Sequence, residues 1–244
     1  MFTPARQRGS EILDDPGEDP VLALRSLRDV ALANRLFGGR RAVLGAVQRV
    51  LRALREPELA RKETSPLVLL DIGTGLGDIP RAAQVMAANS AVPMTTIGIE
   101  LVPALARAAG ASCTHTLAAD AMALPFPDDS VDIVTCSQVL HHFDGDAADR
   151  LLRECTRVAR TAVIIGDLRR SWFAVGGLWA ASFLLGFHPV SRHDGIVSIL
   201  RGFTRDELAA LVVRATGCAV RAHRAPGFRV VAVWSPSPRQ QTRS

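Results

Sequence analysis

The chain has 244 residues, 48% of them hydrophobic and 22% charged, with a formal net charge of +5 at pH 7. That length suits one α/β domain with a core of its own, and the composition excludes a mainly disordered or collagen-like chain. Four scattered cysteines (Cys113, Cys136, Cys155, Cys218) form no C-x-x-C pair, which argues against a zinc ribbon, a thioredoxin site or a disulfide scaffold and for a reducing, cytoplasmic setting.

In chain order, residues 1–20 read as a flexible lead with Pro and Gly punctuation and no apolar core of a signal peptide. From Val21 to about Ala60 the chain is a helical cap. Val21, Leu22, Leu24, Leu27, Val30, Ala31 and Leu36 give a 3.6-residue stripe, and Gly38-Gly39 breaks it. A second helix then runs through Val43, Val47, Val50, Leu51 and Leu54, with Arg40, Arg41, Arg49, Arg52 and Arg55 on a solvated face. After Ser65-Pro66 strands and helices alternate. LVLLDI (67–72) is a short apolar run of the kind that forms a buried parallel strand. A helix follows at 78–88, a strand at 95–100, a helix at 102–109 opened by Pro103, and a short strand at 115–117. Then come a strand at 131–137, a helix at 147–160 and a strand at 161–167. Residues 171–187, SWFAVGGLWAASFLLGF, carry no charge and sit at the short limit for a membrane span. Thr204 and Glu207 form a capping box that opens a further helix. Strands near 218–222 and 228–234 close the pattern, and residues 236–244 read as a disordered tail.

This alternation implies an α/β fold, a Rossmann-like doubly wound and mostly parallel sheet, whose ligand sits at the carboxyl ends of the strands. The strongest local signal is LVLLDIGTGLGD (67–78). Asp71 ends the strand, Gly73, Gly75 and Gly77 make a G-x-G-x-G turn, and Asp78 follows. A nicotinamide or flavin fingerprint would place a third glycine where Asp78 stands, and a Walker loop would need G-K-[ST]. A carboxylate there suits a ligand amine better than a pyrophosphate. Glu100, at the tip of the next strand, is placed to accept from a ribose diol. Asp120, with the backbone of Ala121 beside it, is placed to accept from an adenine amine.

The ordered set DIGTGLGD, IGIE and AADAMALPFPDDSVDIVTCSQVLHHF resembles the class I S-adenosylmethionine-dependent methyltransferases, in the branch that includes the ubiquinone and menaquinone enzymes. The resemblance spans about 66–234, making 65–235 the methyltransferase domain and 21–64 its N-terminal cap. It implies a seven-stranded sheet whose last strand is antiparallel. It also implies that Asp71, Gly73, Gly75 and Asp78 hold the methionine moiety, Glu100 the ribose and Asp120 the adenine, with Thr74, Gly77, Leu101, Ala121 and Ser137 completing the cofactor set. EILDDPG (11–17), LRSLRDVALANRLFGG (24–39), DLRR (167–170) and SRHDG (191–195) are similar to bacterial methyltransferases that accompany type III polyketide synthases. That similarity implies a phenolic or quinonoid acceptor.

Methyl transfer to oxygen needs alignment, exclusion of water and a group that takes up the acceptor's proton. His141 and His142 follow the fourth strand at its ligand end. They point in different directions, so one of them at most acts on the acceptor. His193, beside Asp194, has the form of a base with an orienting partner, while turn formation at Asp194-Gly195 explains the same residues. Asp167, Arg169 and Arg170 would anchor an acidic acceptor or form surface ion pairs. The apolar insert (within 168–203) would be a lid, core, or a contact with a membrane surface, with Trp172, Trp179, His188 and Arg192 toward the acceptor. The expected reaction is methylation of a phenolic oxygen in a small hydrophobic metabolite. Ring C-methylation is the alternative, and an RNA or protein acceptor a weaker one. The basic balance permits nucleic acid without demanding it, and no nucleic-acid partner or metal ion is expected. A monomer and a homodimer both remain open.

Overall fold

The computed structural model describes residues 3–14, 19–54 and 65–236. Arg55, the end of the second helix as read from sequence, most of the flexible lead's last residues and the tail from 237 lie outside the described residues. Seven strands form one sheet: β1 (Leu67–Ile72), β2 (Met94–Glu100), β3 (His115–Ala118), β4 (Val131–Ser137), β5 (Ala159–Leu168), β6 (Arg221–Ala225) and β7 (Arg229–Trp234). Their order is β3-β2-β1-β4-β5-β7-β6. β1 pairs in parallel with β2 and β4, β3 with β2 and β5 with β4, while β7 runs antiparallel to both β5 and β6. The chain order reverses beside β1, between the turns after β1 and β4, which is where such a sheet opens its ligand crevice.

Among the described residues eight α-helices accompany the sheet: α1 (Pro20–Leu36), α2 (Gly39–Ala53), α3 (Asp78–Ala88), α4 (Pro103–Ala109), α5 (Gly145–Val158), α6 (Trp172–Leu184), α7 (Pro189–Arg201) and α8 (Arg205–Thr216). Side chains alternate across each strand, so neighbours feed opposite faces. Leu69, Ile133 and Ile164 pack with Val43, Val47 and Leu51 of α2 and Ile79 and Ala83 of α3. Leu70, Val134, Val163 and Ile165 pack with Leu151, Leu152 and Cys155 of α5 and Leu208 and Val212 of α8. The seven-stranded expectation and its antiparallel last strand hold. So do the Gly38 break, in the left-handed region at φ 82°, and the Thr204–Glu207 capping box.

Several boundaries differ from the sequence reading. α5 ends at Val158 because Ala159 is already extended and paired with Val131 of β4, so β5 starts two residues early. β6 starts at Arg221 rather than near 218, because Cys218 is still tied to the α8 cap through its amide and Thr216 Oγ1 at 3.1 Å. The insert holds two helices. His188 caps α7 and Pro189 opens it, so Asp194-Gly195 lies mid-helix and forms no turn. A Cβ at Gly195 would lie 2.8 Å from Leu178 Cδ2, so this glycine lets α7 approach α6. Among the described residues, no helix is long and apolar enough to cross a membrane.

Candidate active site

A cavity of about 920 Å³ opens at the carboxyl ends of β1, β2 and β4. One end is the glycine turn. Gly73, Gly75 and Gly77 adopt φ of 63°, 59° and 72°, a region that a side chain disfavours. A Cβ at Gly73 would collide with Val139, and one at Gly77 would lie 2.7 Å from Ser112 Cβ. The turn therefore tolerates no side chain and presents its backbone to the cavity.

Three carboxylates converge on this end. Asp71 is buried, and its two oxygens accept from Thr135 Oγ1 at 2.6 Å and Thr74 Oγ1 at 2.8 Å. Burial raises Asp71 to about 7; its hydroxyl bonds oppose that rise, while the charges of Asp78 and Glu100 add to it. Asp78, at the first position of α3, is also raised by burial, with Arg40 opposing, and its Oδ2 is buried without a hydrogen-bond partner. Glu100 is raised by burial while accepting from the Gly75 amide. Three desolvated acids with an unsatisfied oxygen make a site whose missing partner is a cation or a multiple donor. Asp120 is exposed at the rim, where its Oδ1 accepts from the Met122 amide at 2.8 Å. Thr74, Leu101, Ala121 and Ser137 line the same cavity, whereas Gly77 supports the turn from behind.

The other end is walled by α1, α6, α7 and the short 3-10 turn Ile12–Asp14. Leu27, Val30, Phe37, Phe173, Leu178 and Phe187 give it an apolar lining. His141 and His142 stand where the two ends meet, their rings 4.3 Å apart between centroids. His141 is buried, and its Nδ1 meets Asp167 Oδ1 at 2.7 Å. Burial pulls the imidazole down, but the charge and hydrogen bond of Asp167, then those of Glu11, overcome this and hold it at about 9. The same contact keeps Asp167 low against its own burial. His142 Nδ1 meets Asp14 Oδ1 at 2.6 Å. Asp14 is held well below the usual carboxylate range by His142 and Arg201, against the upward pull of desolvation.

The remaining sequence candidates are placed elsewhere. His193 does not line the cavity; it is exposed and meets its neighbour Asp194 at 2.8 Å. Asp194 has a structural task, accepting from the amides of Ile12 and Leu13 at 2.9 and 3.1 Å. Trp172 and Trp179 lie on the outer face of α6, each about half exposed (52% and 54%), and Trp179 packs edge-on against Phe183. His188 receives the Val190 amide as the cap of α7, and Arg192 lies over the Phe183 ring at 3.8 Å. None of these four lines the cavity. Arg170 is buried and holds Glu207 at 2.7 Å, so it braces α8 rather than anchoring a ligand.

Sequence reasoning missed Gly98, Thr135, Asn34, Gln138, Glu11 and Asp14. Gly98 carried a signal, since a glycine inside a strand marks close approach; a Cβ there would lie 2.7 Å from Thr74 Cγ2. Gln138, at φ 56°, turns the chain after β4 and bonds Asn34 of α1. The others reach the site only through tertiary contact.

Residues 70–165 match the methyltransferase domain family. An uncharacterized methyltransferase of Bacillus subtilis (strain 168), YcgJ, is 33% identical over 93 residues, covering 38% of this chain, and the match spans 36% of that relative's length. Among solved structures, magnesium protoporphyrin IX methyltransferase from Synechocystis PCC 6803, with bound S-adenosylmethionine, is similar with a TM-score of 0.54, 11% identity and coverage of 86% and 83% of the two chains. A SAM-dependent methyltransferase from Aquifex aeolicus gives 0.51, 15%, 78% and 98%. At these identities the structures speak for the fold.

Proposed function

We propose that this chain is an S-adenosylmethionine-dependent methyltransferase acting on an oxygen of a small hydrophobic aromatic acceptor, of phenolic polyketide or quinol type. The observation that carries the reading is the continuity of one cavity: a glycine turn with three desolvated acids at one end, an apolar chamber at the other, and a histidine pair between. The match of residues 70–165 to the methyltransferase domain family supports the same reading.

The residues present fit that cofactor. The unsatisfied Asp78 Oδ2 and the buried Asp71 suit the cationic amine of a methionine moiety, and Glu100 at the β2 tip suits a ribose diol. When bound, the cofactor supplies an electrophilic methyl on an excellent leaving group. The chain's work is then alignment and dryness. Leu27, Val30, Phe173, Leu178 and Phe187 hold an aromatic ring by burial. The histidine pair stands where the acceptor oxygen would come to lie, and His141 and His142 are each fixed through Nδ1 by a carboxylate. Walls formed by α1, α6, α7 and residues 11–14 favour a small acceptor over a polymer.

The test is incubation with methyl-labelled S-adenosylmethionine and a panel of alkylphenols, quinols and pyrones. Label on a phenolic oxygen is the expected result. Label on a ring carbon moves the reading to C-methylation. Label on RNA or protein alone, with every small acceptor unmodified, overturns it.

A further inference from the structure

The histidine pair and the segment 11–14 come together in a way that methyl transfer alone does not require. Glu11, His141 and His142 each offer one ligand atom, and these atoms lie within 4.8 Å of one another. His141 Nε2 stands 3.5 Å from Glu11 Oε1, and His142 Nε2 3.9 Å from Glu11 Oε2. Ligand atoms about 2 Å from a tetrahedral ion lie about 3.3 Å apart, so a few tenths of an ångström closes the first pair and about half an ångström the second. His141 Nε2 is buried, and the contact it makes is the long one to Glu11. Both histidines are tied at Nδ1 to a carboxylate, His141 to Asp167 at 2.7 Å and His142 to Asp14 at 2.6 Å. That arrangement fixes tautomer and ring orientation and turns Nε2 outward, as in histidines that ligate metal.

Glu11 and Asp14 face one guanidinium, Arg201, whose Nη1 meets Asp14 Oδ2 at 2.6 Å and Glu11 Oε1 at 3.6 Å, while Asp167 is met by His141 and lies in the field of Arg6 and Arg229. Two imidazoles and one carboxylate select a borderline transition ion such as Zn²⁺ over Mg²⁺. Three protein ligands leave a position open, and all three residues line the cavity at the junction of its two ends.

We infer that Glu11, His141 and His142 form a divalent transition-metal site whose open position takes the acceptor's oxygen. This deepens the proposed methyl transfer and rests on it. The ion would accept a lone pair of the phenol oxygen, the O–H proton would leave to solvent, and the metal-held phenolate would be the nucleophile. The N-terminal segment then does more than close the cavity, because it brings a ligand to it.

The experiment uses untagged, chelator-treated full-length protein. Co²⁺ is titrated in and followed by its visible d–d absorption, then displaced with Zn²⁺, with S-adenosylhomocysteine calorimetry run in parallel. One equivalent of Co²⁺ in an intense low-symmetry spectrum is expected. Glu11→Gln and His142→Gln should each lose it, Asp14→Asn should weaken it about 10–100-fold, and S-adenosylhomocysteine binding should be unchanged in all three. No stoichiometric uptake by wild type, or a spectrum unchanged in Glu11→Gln and His142→Gln, overturns the site. If S-adenosylhomocysteine binding survives that failure, the methyltransferase reading stands without the metal. If metal binds and the cofactor product does not, the site stands and the methyltransferase reading falls.

Discussion

The two ends of the cavity are built by different rules. The cofactor end is assembled within the stretch from β1 to β4: glycines that need left-handed φ, carboxylates at or just beyond the strand tips, and hydroxyls of Thr74 and Thr135 that hold Asp71. Its chemistry is local, and the sheet register alone brings it together. The acceptor end draws on residues 11–14, α1, the turn after β4, α6 and α7, and is held by cross-chain bonds such as Asp194 to the amides of Ile12 and Leu13. A site of the first kind fails only when its own residues change. One of the second kind also fails when distant packing shifts.

Variants can separate the two ends. The largest effect is expected at the junction: His142→Ala should lower the acceptor turnover about 10²–10⁴-fold while leaving S-adenosylhomocysteine affinity within about twofold. Equal loss of both would merge the two ends into one unit. Next, Asp78→Asn should weaken S-adenosylhomocysteine binding about 10–100-fold, the worth of a charged hydrogen bond, with acceptor KM little changed.

A third effect is in pH. Asp71 must be ionised to serve a cation, and burial holds it at about 7. Cofactor-product affinity should therefore fall as pH drops below about 7, approaching tenfold per unit, and level off above it. Asp71→Asn should remove that slope. The sign for unliganded stability is opposite: the native state keeps a proton that the unfolded chain releases near pH 4, so this contribution is full below about 4 and is lost as pH rises through 7. The smallest effect is expected at Trp179→Ala. Its edge-on contact with Phe183 is worth about 0.5–1.5 kcal/mol of stability, and acceptor KM should shift less than threefold, because the ring lies outside the cavity. A larger KM effect would place α6 in the acceptor's path.

What could be read from the sequence follows the same division. β1, its turn and Asp78 are contiguous, so periodicity and glycine spacing identify them, and Glu100 and Asp120 fall at strand ends that the same pattern locates. Glu11 and His141 are distant in sequence, and only folding makes them neighbours at 3.5 Å. The apolar run 171–187 misled for a physical reason. Phe173, Ala174, Gly177 and Leu178 face the cavity while its tryptophans face outward, and a helix that is apolar all round does not tell which side is which. Asp194-Gly195 has turn chemistry, yet His188 and Pro189 start a helix whose tertiary partners at 12 and 13 use the aspartate instead.

The most direct measurement of the central claim is calorimetry of the wild type with S-adenosylhomocysteine beside Asp71→Ala and Glu100→Ala, with the fold of each checked by circular dichroism. The account predicts micromolar binding by the wild type and its loss in both folded variants. A folded wild type that does not bind, or variants that bind equally well, would contradict it.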